Sequence, residues 1–119
     1  DSWDKIPSEI SRGAFATVHS DSDGNVWIGG GNGLVAKYDG SSVQVQPLIG
    51  GDDILAISGD SNILFAVGRE GAVFRYTPKG GTRLDSGTTL KLEAVYSNGD
   101  EAWMSGSGRA VLHWDGASI

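Results

Sequence analysis

The chain contains no cysteine. That absence excludes disulfides, thiolate metal sites and cysteine nucleophiles together. It fits a reducing compartment without excluding an oxidising one. Proline is scarce too, at three of 119 residues. Basic residues are few, nine Lys and Arg against fifteen Asp and Glu, and the net charge is −6. They are scattered singly and form no basic patch. Non-specific affinity for nucleic acid or anionic lipid comes from Lys and Arg, so neither partner is expected. No apolar run approaches the roughly 20 residues that span a bilayer as a helix. The first ten residues, DSWDKIPSEI, are acidic and polar, so no signal peptide is expected. No segment sustains a 3.6-residue period, so no substantial helix is expected.

What is abundant is glycine, 19 of 119 residues, against a usual share of about 7%. Glycines spread between short apolar runs mark many tight turns, the profile of an all-β fold. The spacing is regular. VWIGGGNGLVAKYDG (Val26 to Gly40), LFAVGREGAVFRYTP (Leu64 to Pro78) and AWMSGSGRAVLHWDG (Ala102 to Gly116) align without a gap, 38 residues apart. Matching columns include Trp27, Phe65 and Trp103, then Gly30, Gly68 and Gly106, then Val35, Val73 and Val111. Lys37, Arg75 and His113 form a basic column beside Tyr38, Tyr76 and Trp114. Upstream, Val18, Ile57 and Val95 match if the first copy carries one extra residue within Asp21 to Asn25.

Each copy reads as four short strands separated by turn chemistry. In the second copy these are about Ile54 to Ser58, Ile63 to Val67, Ala72 to Tyr76 and Thr82 to Asp85. Gly30, Gly68 and Gly106 end the second strand of each copy, where positive φ or a close backbone approach is required. Gly33 and Gly71 fall in the following turn. The third copy has Arg109 there, with Gly108 one residue earlier, so its hairpin is expected to differ in shape. Four strands per unit of nearly 40 residues is the β-propeller pattern, with a solenoid of coils as the competing repeat fold.

The motif WxxGxxGxVxxWDG, clearest in Trp27 to Gly40 and Trp103 to Gly116, resembles a bacterial β-propeller repeat of the WAVGxxGxILHWDG type. That repeat occurs in secreted, lipoprotein and assembly-factor propellers. The resemblance covers all three copies and implies a propeller, but no particular activity. SDSDGNVW (Ser20 to Trp27) is also close to the Asp-box turn of sialidase-like propellers, with Ser22 where that box has Asp. No sialidase catalytic residue matches by position.

The expectation is one partial propeller over residues 1–119, with blades at about 14–47, 53–86 and 91–119. Three blades do not close a ring of the usual four to eight. The outer sheet faces would expose apolar surface worth about 25 cal/mol per Å². Two chains would give six blades with two-fold symmetry. The third copy stops at GASI, where its fourth strand should begin, and residues 1–8 read as a strand donor for a neighbouring subunit's last blade. The competing reading is a piece of a longer propeller, including a propeller enzyme.

Ligands of propellers commonly sit on the face where the loops gather around the channel. The candidate ligand-binding residues are Asn32, Arg69, Glu70 and Arg109 from loops between second and third strands. Glu93 joins them from an innermost strand, where the other copies carry Ala16 and Leu55. Ser107, Glu9, Arg12, Asp52, Asp53, Thr88 and Thr89 belong to the same loop clusters. The plainer reading of each is a solvated loop tip. The basic column suits an anion or sugar contact, or a long side chain lying across the next blade. His19 and His113 stand apart and suggest no metal site. Asp21 to Asn25 has alternating oxygens but lacks the closing Glu of a calcium loop, so a hairpin turn is expected. Gly29 to Gly33 is followed by no Lys-Ser/Thr and is no phosphate loop. No Ser/His/Asp set, zinc spacing or carboxylate pair appears, so neither catalysis nor a cofactor is expected. The leading reading is a self-assembling, non-enzymatic binding scaffold, homodimeric, with a carbohydrate or protein ligand possible. The alternative is a lectin whose repeated aromatics stack on sugar between blades.

Overall fold

The computed structural model describes residues 15–46, 50–109 and 111–119. The expected strand donor, residues 1–8, and the loop residues Glu9 and Arg12 lie outside them. The described chain is all β, in three antiparallel sheets of four, four and three strands. The first sheet holds β1 (Phe15–Ser20), β2 (Val26–Gly30), β3 (Val35–Tyr38) and β4 (Val43–Val45). The second holds β5 (Ile54–Gly59), β6 (Leu64–Gly68), β7 (Val73–Thr77) and β8 (Gly80–Leu84). The third holds β9 (Leu92–Asn98), β10 (Glu101–Gly106) and β11 (Val111–Trp114). Each is a meander in which sequence neighbours pair. Among the described residues β11 has no strand on its outer side. The only helical elements there are single 3₁₀ turns, and no helix is long and apolar enough to cross a membrane.

Turn side chains fix the hairpins. Asp21 Oδ1 accepts the amides of Asp23 and Asn25 at 2.9 and 3.0 Å. Its Oδ2 accepts the Trp27 indole N–H at 2.9 Å. The alternating oxygens of Asp21 to Asn25 thus form a capped hairpin turn. Burial pushes the Asp21 carboxyl up, but these hydrogen bonds outweigh it and hold the group below its ordinary range. In the repeated Tyr/Trp-Asp-Gly triplet, Asp39 and Asp115 accept the amides two and three residues on, all at 2.9 Å.

Two glycine columns serve different ends. Gly68 has an extended φ of −171°, so conformation is not the reason for it. A Cβ there would lie 1.7 Å from the Asp53 carbonyl oxygen, and one at Gly106 1.9 Å from that of Lys91. Close backbone approach is therefore what these positions demand. The next turn was expected to change shape in the third copy. Instead the same 3₁₀ turn recurs at Gly31–Gly33, Arg69–Gly71 and Ser107–Arg109. Gly108, at φ 69°, takes the left-handed place that Asn32 and Glu70 hold at 59°. Glycine meets no Cβ penalty there, so the turn survives the shift.

The sheets stack through opposite faces. Call the face toward the next sheet in chain order the leading face, and the other the rear face. Trp27 and Val35, on the first sheet's leading face, pack with Ile54, Ile57, Leu64, Ala66, Phe74 and Tyr76 on the second sheet's rear face. Phe65, Val67 and Val73, on the second sheet's leading face, pack with Leu92, Ala102 and Met104 of the third. The middle sheet is thus covered on both faces, and β6 is buried along its whole length. Alternation along β6 sends Leu64 and Ala66 one way and Phe65 and Val67 the other.

Candidate functional site

Three of the expected site residues meet at the ends of the β2–β3 and β6–β7 hairpins. Asp53, in the loop before β5, draws two of them together. Its Oδ1 accepts the Asn32 backbone N–H at 3.0 Å and its Oδ2 accepts Arg69 Nε–H at 3.2 Å. Glu70, exposed, shares that second turn. One loop residue earlier, Asp52 Oδ2 accepts Arg83 Nη1–H at 2.6 Å. The Arg83 guanidinium lies 5.4 Å from the Phe74 ring centre. Glu93 lies on β9, exposed, with Lys91 Nζ at 3.8 Å. Arg109 ends the third 3₁₀ turn. On this loop face Arg69 and Arg83 are thus held in ion pairs with Asp53 and Asp52. Arg69, Asn32 and Asp53 act as a clasp between the first and second sheets, not as a convergent pocket.

The basic column is likewise structural in each copy. Arg75 reaches from the second sheet to the β9–β10 turn and makes a bidentate pair with Asp100, 2.7 Å at Nε and 2.8 Å at Nη2. Asp100 also accepts the Trp114 indole N–H at 3.1 Å. Hydrogen bonds from Arg75 hold the Asp100 carboxyl below its ordinary range, with Trp114 adding to the effect. Lys37 Nζ lies 5.6 Å from the Trp27 ring centre. His19 and His113, which stand apart in the repeat, each have a hydrogen-bond partner. His19 Nε2 meets the Gly59 carbonyl oxygen at 2.9 Å, and His113 Nε2 meets Glu101 at 2.8 Å. Asp100 escaped the sequence reading because Asn62 stands in its place in the second copy and no column marks it.

The Arg75–Asp100 pair yields a measurable expectation. A double-mutant cycle with Arg75→Met and Asp100→Asn should give a coupling of about 1 kcal/mol in urea melts, since the pair is bidentate but partly exposed. Because folding lowers the Asp100 pKa, its contribution is complete above the unfolded value of about 3.9 and is lost as pH falls through the folded value. Asp100→Asn should flatten that part of the acid limb. An unchanged acid limb would show the pair to be broken in solution.

Several hollows border the sheets among the described residues. One of about 410 Å³ lies at the β1–β2, β5–β6 and β9–β10 turns, lined by His19, Ser20, Ser58, Tyr96 and Ser97 among others. Across its floor Ser58 Oγ and Ser97 Oγ are 2.8 Å apart. A groove of about 230 Å³ between the first and second sheets is lined by Lys37, Gln44, Gln46, Ser61 and Thr77. Its aromatic walls, Trp27 and Tyr76, are only 4% and 5% exposed. Burial also pushes the Tyr76 hydroxyl up to about 12. Neither ring offers a stacking face. A third, apolar hollow of about 570 Å³ lies on the rear of the first sheet, lined by Phe15, Ala16, Thr17, Val18 and Ile28.

Among the described residues, the two outermost faces expose apolar side chains whose counterparts in other copies are buried. Val35 and Val73 are fully buried, yet Val111 in the same column is 73% exposed. Ile54 and Leu92 are fully buried, yet Phe15, which pairs in the same register, is 51% exposed. On the third sheet's leading face Tyr96, Trp103 and His113 form a cross-strand row. Trp103 stacks on His113 at 4.8 Å and tilts against Tyr96 at 6.0 Å. Comparison with known proteins finds no matching family model and no matching curated protein.

Proposed function

We infer that this chain is a non-enzymatic β-propeller module that works by self-association, two chains closing one ring of six blades. One observation carries the reading. Equivalent repeat positions are sealed inside the protomer and bare at its two outer faces, as in the column Val35, Val73 and Val111. A face built to the pattern of a buried one favours a cover of the same kind. The leading face of the third sheet and the rear face of the first are complementary types, since that pairing already occurs twice within the chain. A leading-to-rear contact is heterologous, and such contacts close into a ring only when the rotation divides evenly. Two copies satisfy this within the usual blade numbers. The pairing of two loop-face cations, Arg69 and Arg83, with Asp53 and Asp52 supports a scaffold in preference to a catalyst.

Light scattering coupled to size exclusion tests the reading. The expected result at micromolar concentration is twice the chain mass, falling toward one chain on dilution. A folded single-chain species at every accessible concentration rejects it.

A further inference from the structure

The two internal junctions share more than apolar burial. They repeat one polar contact at one register position. In the first sheet His19 sits opposite Trp27, in the second Ser58 opposite Phe65, and in the third Tyr96 opposite Trp103. Each of the first two reaches forward to the same place on the following sheet, the last residue or two of its innermost strand. His19 Nε2 meets the Gly59 carbonyl oxygen at 2.9 Å. Ser58 Oγ meets Ser97 Oγ at 2.8 Å and also accepts the Ser97 amide at 3.1 Å. Gly59 pairs with Leu64 and Ser97 with Ala102, and the position pairing likewise with Val26 is Ser20. Among the described residues Tyr96 makes no such forward contact, and it is 66% exposed.

Resting on the dimeric reading above, we propose that the third sheet docks on the first sheet of a second copy in the internal register, with Tyr96 against Ser20 of the partner subunit. The remaining contacts follow from the same alignment. Trp103 takes the place of Trp27 and Phe65 and covers Val18 and Ile28 of the partner subunit. Ser105 takes the place of Gly29, whose Cβ would lie 2.6 Å from Ile54 and 2.9 Å from Ile57. The second junction fills the same position with the fully buried Val67, and Ser105, intermediate in size, faces Phe15 and Val18 of the partner subunit. Charge follows too. Arg75 pairs with Asp100 in the turn after β9. His113, in Arg75's column and hydrogen-bonded to Glu101, faces the turn after the partner's β1, which carries the exposed Asp23 of the partner subunit.

The absence of cysteine makes the register directly testable. Tyr96→Cys and Ser20→Cys are made in separate full-length chains, mixed and mildly oxidised. A Ser58→Cys/Ser97→Cys chain serves as the internal reference, because its side-chain oxygens already lie 2.8 Å apart. Position 96 tolerates a small side chain in this register, as Ser58 shows at the internal junction. The expected result is a covalent two-chain species from the mixture and from neither variant alone. In the Tyr96→Cys/Ser20→Cys double variant the two-chain species should dominate. Doubled mass with cross-linking of Tyr96→Cys alone would overturn the register while leaving self-association intact. Monomeric mass with no cross-link would overturn both. A ladder of longer species from the double variant would keep the register and reject ring closure.

Discussion

Phe65→Ala should remove about 3–5 kcal/mol of unfolding free energy. Trp103→Ala, in the same repeat column, should remove well under half of that from the isolated protomer. Phe65 is fully buried between the second and third sheets, packed with Val67, Val73, Leu92 and Met104. Truncation there loses the transfer energy of the ring and leaves a cavity that two stacked sheets close poorly. Trp103 lies between the rings of Tyr96 and His113 on an outer face and remains half-buried. Its loss removes contact area without opening an internal void. Urea melts at low protein concentration measure both changes. In the proposed two-chain assembly the order shifts, since Trp103→Ala removes the centre of the junction and should abolish the two-chain species. A protomer destabilised more by Trp103→Ala than by Phe65→Ala would show that the third sheet's leading face is already covered within one chain.

Gly68→Ala should cost more than about 4 kcal/mol or prevent folding, which places it among the exceptional single substitutions. The cause is collision, since the backbone there is extended and any residue adopts it. The added Cβ would lie 1.7 Å from the Asp53 carbonyl oxygen, 2.8 Å from its carbon and 3.1 Å from Ile54 Cα. All three are backbone atoms, so no side chain can swing aside. Relief requires the start of β5 to move away. That breaks the Arg69 N–H to Asp53 carbonyl bond, now 3.1 Å, and uncovers the fully buried Ile54. Gly51→Ala is the control, with nothing within 4 Å of the new Cβ, and should stay within about 0.5 kcal/mol of the parent chain. Thermal or urea unfolding of the pair reads the contrast. Equal stabilities would mean that the β6 end and the β5 start do not approach so closely.

The strands were largely legible because each hairpin is written locally. Alternation, turn residues and the 38-residue spacing placed β5, β6 and β7 within about a residue of where they stand. The second sheet's last strand runs Gly80–Leu84, against an expected Thr82 to Asp85. It starts earlier because the ladder begins at the Thr77–Gly80 pair, which the turn hides in sequence. The loop-face residues were harder to read. Asn32 and Arg69 do approach each other, but through Asp53, and Glu93 has Lys91 as its neighbour instead. A column of similar residues reveals a role shared by every copy. It is silent on a clasp such as Asp53 or Asp100 that one junction has and another lacks.

By itself the sequence determined the all-β class, the repeat and its period, because strand alternation and tight-turn chemistry are local properties of the chain. Only the tertiary structure decided which copies of a repeated residue are sealed and which are bare. Val35, Val73 and Val111 are the same letter in the same column, and burial depends on whether another sheet lies beyond. It also decided that Arg75, Arg69 and Arg83 are spent on neighbouring carboxylates, since ion pairs depend on distances between residues far apart in the chain.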